Sequence, residues 1–245
     1  MARSRLIGDA RIVAIPIAFN EEYAIGRVLD RFVGTEGVDV AVVDDGSTDR
    51  TPVIIGERGV TLIQRAKCGG AGAAIRTAYV WARNQGYEIC VIMSGNDKDR
   101  PCEIHRLVNP ILSGKADLVQ GSRYLTDGTH ANMPLHRRIA SGYIHPLVFS
   151  LVVGRRMTDT TNGYRAVRLS MLADPRIDLD QPWLEKYELE PYLLFKAIRL
   201  GYAVREVPVT KIYPPPPMRY TKMTPVADWW SILRPIIILG LGLKR

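Results

Sequence analysis

Two apolar, β-branched runs near the N-terminus each end in polar residues that could bind a ligand. The first runs through Ile15-Pro16-Ile17-Ala18 into Phe19-Asn20-Glu21-Glu22. The second, Val40-Ala41-Val42-Val43, gives way to Asp44-Asp45-Gly46-Ser47-Thr48-Asp49. In an open α/β sheet, ligands bind beyond the carboxyl ends of the strands. Two such ends side by side would line one polar pocket, with carboxylates placed to accept hydrogen bonds from ribose hydroxyls or a base N–H. Neither end carries the Gly-x-Gly-x-x-Gly turn of a dinucleotide site or the Gly-Lys-Ser/Thr of a P-loop, which leaves a nucleotide site of another kind. Downstream, Gly69, Gly70 and Gly72 stand where a helix should open. Glycine there lets backbone approach a ligand closely, and a helix N-terminus favours anions. Tight helix packing would use the same glycines.

The elements that must hold these groups follow from hydrophobic periodicity. Strands are expected over 11–17, 38–43, 59–64, 88–93 and 117–120. The intervening helices are expected over 22–32 (Ile25, Val28, Leu29 and Phe32 on one face), from Ser47 or Asp49 as N-cap with Pro52 early in the helix, over 69–85 (Ala74, Ile75, Ala78, Tyr79 and Ala82 as the buried stripe) and over 101–112. Repeated β-α units with short connections predict an α/β domain with a mostly parallel central sheet flanked by helices and right-handed crossovers. The second half is less regular. A helix over 137–153 carries apolar Ile139, Tyr143, Leu147 and Leu151, and Pro146 should kink it. Another helix spans 188–200, a last strand spans 202–212, and the four prolines Pro214 to Pro217 form an extended connector.

Ile15-Pro16 through Asn20-Glu21-Glu22, Val42-Val43-Asp44-Asp45-Gly46-Ser47-Thr48-Asp49 and Gly70-Ala71-Gly72-Ala73-Ala74 together resemble the family-2 glycosyltransferases. Within these, the chain is most similar to the dolichyl- or polyprenyl-phosphate sugar synthases. The further matches are Gly121-Ser122-Arg123-Tyr124, Asp159-Thr160-Thr161-Asn162-Gly163-Tyr164-Arg165-Ala166 and Glu206-Val207-Pro208-Val209. The resemblance covers roughly residues 10 to 225. It implies a GT-A-type fold and a nucleotide-diphosphate sugar donor, with Pro16, Phe19, Asn20, Glu21, Asp44, Asp45, Gly70, Gly72, Asn96 and Asp97 around the nucleotide sugar. Asp45 in particular is implied to contact the nucleoside. The domain spans 1–224, with a nucleotide-sugar half over about 10–122 and an acceptor half over about 123–224, and a tail helix follows over 225–245.

The chain departs from the family after the fourth strand. Members usually carry Asp-x-Asp there, holding a divalent ion against the diphosphate, and this chain reads Ser94-Gly95-Asn96-Asp97-Lys98-Asp99-Arg100. The expected cofactor is Mg²⁺ or Mn²⁺ on Asn96, Asp97 and Asp99, since hard cations take carboxylate and amide oxygens. Lys98 or Arg100 neutralising the diphosphate directly is the alternative. For the acceptor, the spacing of Arg123, Arg137 and Ser141 matches the residues that hold the lipid phosphate in the polyprenyl-phosphate synthases. Guanidinium groups present paired donors to phosphate oxygens. Arg165 and Lys222 are further candidates for phosphate. The catalytic candidates are Asp159, Arg123 and Arg137. An ionised phosphate acceptor needs no general base, whereas a hydroxyl acceptor needs one, and Asp159 is then the first candidate, ahead of Glu188 and Glu190.

The whole chain has 245 residues, 33 Lys+Arg against 25 Asp+Glu, and a net charge of +8, which suits a phosphate-bearing ligand or an anionic membrane. No nucleic-acid-binding motif is present and the arginines are dispersed, so nucleic acid is not an expected partner. Cys68, Cys90 and Cys102 have no paired spacing, and the polar first residues do not read as a signal peptide. A reduced, cytoplasmic protein is the expectation, with peripheral contact at the inner membrane face. The apolar run Ile236–Leu243 is too short for the ~20 residues that span a bilayer. With Trp229, Trp230 and Arg234 before it and Lys244 and Arg245 after it, the tail reads as an interfacial helix. It could equally dock on this domain or on a second subunit of a homo-oligomer.

The expected function is inverting transfer of a hexosyl group from a UDP- or GDP-sugar to a phosphorylated acceptor, polyprenyl phosphate first. Transfer to a soluble hydroxyl-bearing or small-molecule acceptor is the alternative, and a non-catalytic nucleotide-sugar-binding subunit the third reading. A nucleotidyltransferase would carry a glycine-rich basic turn where Phe19-Asn20-Glu21-Glu22 is acidic.

Overall fold

A computed structural model of the chain describes residues 6–7, 10–214 and 227–243. In chain order the elements are β1 (Leu6–Ile7), β2 (Ala10–Ala18), α1 (Ile25–Asp30), β3 (Asp39–Asp44), α2 (Thr51–Glu57), β4 (Thr61–Gln64), α3 (Ala71–Asn84), β5 (Ile89–Ser94), α4 (Ile104–Leu112), β6 (Leu118–Ser122), β7 (Thr129–Ala131), α5 (Leu135–Ile139), α6 (His145–Val153), β8 (Arg165–Arg168), α7 (Leu189–Arg199), β9 (Val204–Pro208), β10 (Thr210–Ile212) and α8 (Ala227–Gly240). The main sheet has the order β4-β3-β2-β5-β8-β6-β9, with the short β1 paired antiparallel to β2. β4, β3, β2 and β5 are mutually parallel, as the β-α repeats require. This places the ends of β2, β3 and β5 along one rim, where the sequence motifs lie.

β2 shows why the sheet is central. Val13 and Ile15 enter one hydrophobic cluster with α3, α6, α7 and α8, whereas Ile12 and Ala14 enter the opposite one with α1 and α4. Side chains alternate across a strand, and a strand apolar at every position must be covered on both faces.

Three differences from the sequence reading have physical causes. β8 runs antiparallel between β5 and β6, within the motif that precedes α7. The expected last strand over 202–212 is two strands. β9 continues the main sheet beside β6, and β10 leaves it to pair in parallel with β7. Pro208, which lacks an N–H for the ladder, ends the first piece, and buried Val209 donates its N–H to the Ser122 carbonyl at 3.0 Å. The third difference is the face of the helix over 137–153. Its buried side carries Ser141, His145, Phe149 and Val153, while Leu135, Ile139, Tyr143, Leu147 and Leu151 are exposed, the last by 74%. Pro146 falls near the start of α6, directly after a π-helical turn, Ala140–Ile144, where the hydrogen-bond ladder is already rearranged.

α8 docks on this domain. Ile236 and Leu239 enter the core, Arg234 pairs with Glu188 at 2.7 Å, and the Ile232 carbonyl meets the His145 ring at 3.2 Å. Trp230, Ile237 and Leu241 remain exposed. Among the described residues, no helix is long and apolar enough to cross a membrane. Pro215 to Pro217, Lys222, Lys244 and Arg245 lie outside the described residues, and so does the Trp229 side chain.

Candidate functional site

The loops after β2 and β3 are locked to each other. Asn20, in the left-handed region at φ 50°, accepts the Thr48 N–H through its side-chain oxygen at 2.8 Å, and its own N–H reaches Ser47 Oγ at 2.8 Å. Glu21 N–H donates to Thr51 Oγ1 and Glu22 N–H to Asp49. Asp44 is fully buried and accepts both the N–H and the hydroxyl of Ser47, so its carboxylate staples the loop instead of facing a ligand. Asp45 accepts hydrogen bonds from Arg65 at 2.6 Å, the N–H groups of Gly69 and Gly70 at 3.1 and 2.8 Å, and the Cys68 thiol at 3.3 Å. It fastens the end of β3 to the loop that opens α3.

Gly70 and Gly72 serve packing instead of ligand approach. A Cβ on Gly72 would lie 2.0 Å from the Leu184 carbonyl, and one on Gly70 would lie 2.6 Å from the Glu185 carbonyl. The Glu185 carbonyl also accepts the Ala73 N–H at 3.0 Å, so backbone from the segment before α7 sits on the start of α3.

The loop after β5 does not fit a divalent cation. Asp97 adopts φ 60° and turns its carboxylate to Arg27 at 3.1 Å and Arg31 at 2.9 Å, with Arg100 at 3.5 Å. Asp99 is buried and accepts from the Ser94 N–H at 2.8 Å, the Ser94 hydroxyl at 2.6 Å and the Lys211 ammonium at 2.6 Å. Burial alone would raise its carboxyl pKa, but the Lys211 charge and these hydrogen bonds outweigh burial and lower it. Both carboxylates expected as metal ligands are therefore satisfied by cations and donors of the protein. Asn96 contributes a buried side-chain oxygen with no hydrogen-bond partner. At a diphosphate a Mg²⁺ or Mn²⁺ ion draws one or two carboxylates from the protein and takes its other oxygens from phosphate and water, and Asn96 offers only a neutral amide oxygen. Among the described residues, no group of three or more His, Cys, Asp and Glu side chains could hold a metal. The expected set Asn96, Asp97 and Asp99 is corrected on these grounds.

The acceptor-side residues do converge. Arg123, at the end of β6, is buried and forms a two-pronged pair with Asp159, Nε to Oδ2 at 2.6 Å and Nη2 to Oδ1 at 2.8 Å. Burial disfavours the guanidinium charge, yet the Asp159 carboxylate outweighs it and keeps Arg123 protonated. Asp159 is completely buried and also accepts the Arg123 N–H. Both of its oxygens are engaged by Arg123, which it holds in place. Glu206 in turn accepts the Thr158 and Asp159 N–H groups at 2.9 Å.

Arg123 Nη1 donates to the Tyr213 hydroxyl at 3.0 Å. The Arg137 guanidinium lies 5.7 Å and the Lys98 ammonium 5.3 Å from the Tyr213 ring centre, within the range of cation–π attraction. On the other side, Arg123 stacks 5.4 Å from Tyr124, whose hydroxyl meets Ser141 Oγ at 2.7 Å. Ser141 is buried and also donates to the Arg137 carbonyl at 2.7 Å, so it braces Tyr124 and the π-helical turn. Arg165 lies elsewhere. It is buried beneath the sheet, donating to the carbonyls of Glu190 and Asn162, and is not available to an acceptor phosphate.

Lys98 is almost fully buried, and that burial first, then the charges of Lys211 and Arg137, push its pKa down to about 7. The negative charge of Glu21, from the loop after β2, acts on it in the opposite sense. Lys211 and Tyr213 escaped the sequence reading. Their only signal is that they flank Ile212 at the end of the last strand, which says nothing about their meeting Asp99 and Arg123.

A parallel rim of interlocked polar loops, beside a cationic cluster drawn from the ends of β5 and β6, from α5 and from β10, defines a GT-A-type nucleotide-diphospho-sugar transferase fold. The chain belongs to glycosyl transferase family 2, whose model matches residues 13–174; it is a glycosyltransferase. It is 36% identical over 207 residues to the polyprenol monophosphomannose synthase of Mycolicibacterium smegmatis, covering 81% of this chain and 76% of that one. It is 32% identical over 211 residues to the undecaprenyl-phosphate mannosyltransferase of Micrococcus luteus, covering 82% and 83%. In fold it is similar to glucosyl-3-phosphoglycerate synthase from Mycobacterium tuberculosis in complex with Mn²⁺, UDP and glucosyl-3-phosphoglycerate. There the TM-score is 0.71 and the identity 19%, over 97% of this chain and 82% of that one.

Proposed function

We propose that this glycosyltransferase moves a hexosyl group from a UDP- or GDP-sugar to a polyprenyl phosphate at a membrane surface, with inversion at the anomeric carbon. The observation that carries the reading is the placement of Arg137. It shares Tyr213 with Arg123 and Lys98, and it belongs to the helix whose Leu135, Ile139, Tyr143, Leu147 and Leu151 form an exposed stripe. A phosphate-binding cation and a lipid-binding face on one helix suit an acceptor with an anionic head and an apolar tail. Exposed His136, Arg138, Arg155 and Arg156 at the two ends of the stripe suit anionic headgroups, as in an amphipathic helix lying in the interface. Both relatives named above act, by their names, on a polyprenol or its phosphate.

The acceptor phosphate oxygen attacks the anomeric carbon in line with the departing diphosphate. The bond from that carbon to the β-phosphate oxygen breaks, and its electron pair leaves with the nucleoside diphosphate. No proton needs to be removed from the acceptor, which agrees with Asp159 being fully engaged by Arg123. A hydroxyl-bearing acceptor would need a base that Asp159 does not supply. Asp45, Phe19 and Glu21 border the nucleoside, Arg123 and Arg137 the acceptor phosphate, and the protein works peripherally at the cytoplasmic face.

The test supplies radiolabelled UDP- and GDP-hexoses to the purified protein with polyprenyl phosphate in vesicles. Labelled lipid is the expected product, and Arg137→Ala should raise the acceptor KM about tenfold with little change in donor KM. Transfer to soluble alcohols without labelling of the lipid would overturn the assignment.

A further inference from the structure

The loop after β5 combines two observations: its carboxylates are spent on cations, and its one inward lysine feels charges from both halves of the site. Asp97 faces α1 through Arg27 and Arg31, while Asp99 is sealed against Lys211 and Ser94. Lys98 lies between them in sequence, and its side chain is 6% exposed. Its ammonium shares the Tyr213 ring with Arg137 of the acceptor helix and also feels the negative charge of Glu21 in the nucleoside loop. Its carbonyl accepts the Ile212 N–H at 3.0 Å, which ties the loop to β10 and fixes where the side chain starts. Tyr213 flanks the ammonium at 5.3 Å.

We propose that in this chain Lys98, held as an ammonium by the bound diphosphate, takes the place of a divalent cation there, so that nucleotide-sugar binding and transfer need no metal. The inference rests on the nucleotide-sugar reading given above. In an inverting transfer the diphosphate must lie between the nucleoside and the incoming acceptor oxygen, and Lys98 stands beside Arg137 at Tyr213, on the loop that follows β5 at the same rim as the nucleoside loops. The negative charge that develops on the leaving β-phosphate oxygen needs a donor already in place and shielded from water. Lysine supplies a compact charge with three donors, and the buried ion pair Lys211–Asp99 stands beside it. Electron bookkeeping is unchanged: the carbon–oxygen bond breaks toward the diphosphate, and the ammonium donates hydrogen bonds to the departing oxygen without releasing its proton. Ser94 and Asn96, neutral where the family carries carboxylates, fit this arrangement, because two more carboxylates would compete with the diphosphate for Lys98.

Calorimetric titration of the full chain with UDP and GDP, after chelation and in EDTA or with Mn²⁺ added, tests this. For whichever nucleotide binds, the dissociation constant should agree within about twofold with and without metal. Lys98→Gln should weaken the diphosphate by tenfold or more while leaving the corresponding monophosphate, UMP or GMP, within about twofold. A tenfold or greater tightening by Mn²⁺ in the wild-type protein would overturn the inference and leave the glycosyltransferase reading standing, and this arm does not depend on any variant folding. Equal losses for mono- and diphosphate in Lys98→Gln would also overturn it. Binding of neither nucleotide would sink both readings together.

Discussion

The two sides of the site hold their charges in opposite ways. On the nucleoside side, Asp44, Asp45 and Asp49 accept hydrogen bonds from neighbouring backbone, hydroxyl, thiol and guanidinium donors, and the motif residues mostly bind one another. On the side proposed for the acceptor, Lys98, Arg123 and Arg137 gather around Tyr213, with Arg123 paired to Asp159 and the neighbouring Lys211 to Asp99. One side is a rigid frame whose signature residues are structural; the other is a concentration of positive charge that an anion would relieve. Sequence signatures therefore mark the frame more loudly than they mark the groups that meet phosphate.

The strongest way to break this contrast is to remove Arg123. Breaking a buried pair typically costs about 3–5 kcal/mol, because the partner charge is left uncompensated in a low-dielectric site, and Asp159 here is completely buried. Arg123→Ala should therefore lose both activity and several kcal/mol of stability in denaturant unfolding. The double change Arg123→Met with Asp159→Leu should recover most of the stability, since apolar replacement of a whole buried pair is often neutral or better. Activity should stay lost. Recovered activity in the double variant would mean that Arg123 never meets the acceptor.

The parallel half was readable because its strands are apolar throughout and its helices carry regular stripes. The stripe Ala74, Ile75, Ala78, Tyr79 and Ala82 is buried as its spacing predicts. The acceptor half defeated the same logic where apolar residues serve another purpose. Ile139, Tyr143, Leu147 and Leu151 repeat every four residues, as a core face does, yet they point outward, and the buried row is Ser141, His145, Phe149 and Val153. Periodicity locates a face but does not say whether protein or something else covers it. Pair partners were the other blind spot. Asp97, Asp99 and Asp159 stand in chemically suggestive positions, and only the fold shows that Arg31, Lys211 and Arg123 have claimed them.

A smaller effect, set by pH, probes how the tail is tied to the cationic side. His145 Nε2 donates to the Ile232 carbonyl of α8 (3.2 Å), and Nδ1 lies 2.5 Å from Thr160 Oγ1, a hydroxyl able to donate to the neutral ring. Burial pushes its pKa down to about 4, only partly opposed by the Ile232 carbonyl and the Asp159 charge. The unfolded chain takes up the proton near pH 6.5 while the folded one resists until about 4. The contribution is therefore full above 6.5 and is lost progressively as pH falls through that window. A drop from 6.5 to about 4 corresponds to a few kcal/mol, on the order of 3. Unfolding free energies measured across this range should show the decline, and His145→Phe should flatten that part of the profile while lowering the plateau. An unchanged slope in the variant would place the titrating group elsewhere.

The smallest expected effect separates the loop after β5 most sharply from a metal site. A carboxylate that ligates an essential cation cannot be neutralised without losing the cation, whereas exposed ion pairs are worth about 0–1 kcal/mol. Asp97 faces Arg27 and Arg31, whose side chains are 54% and 44% exposed. Asp97→Asn keeps the shape of the side chain and its local hydrogen-bonding capacity at φ 60°, a conformation Asn tolerates well. The variant should lose no more than about 1 kcal/mol of stability, and its transfer rate should stay within about threefold of the parent chain. A loss of a hundredfold or more, rescued by raising Mn²⁺, would show that Asp97 leaves its arginines to serve a cation when the donor binds. The contrast between an acidic frame and a cationic reaction zone would then fail at the loop where it matters most.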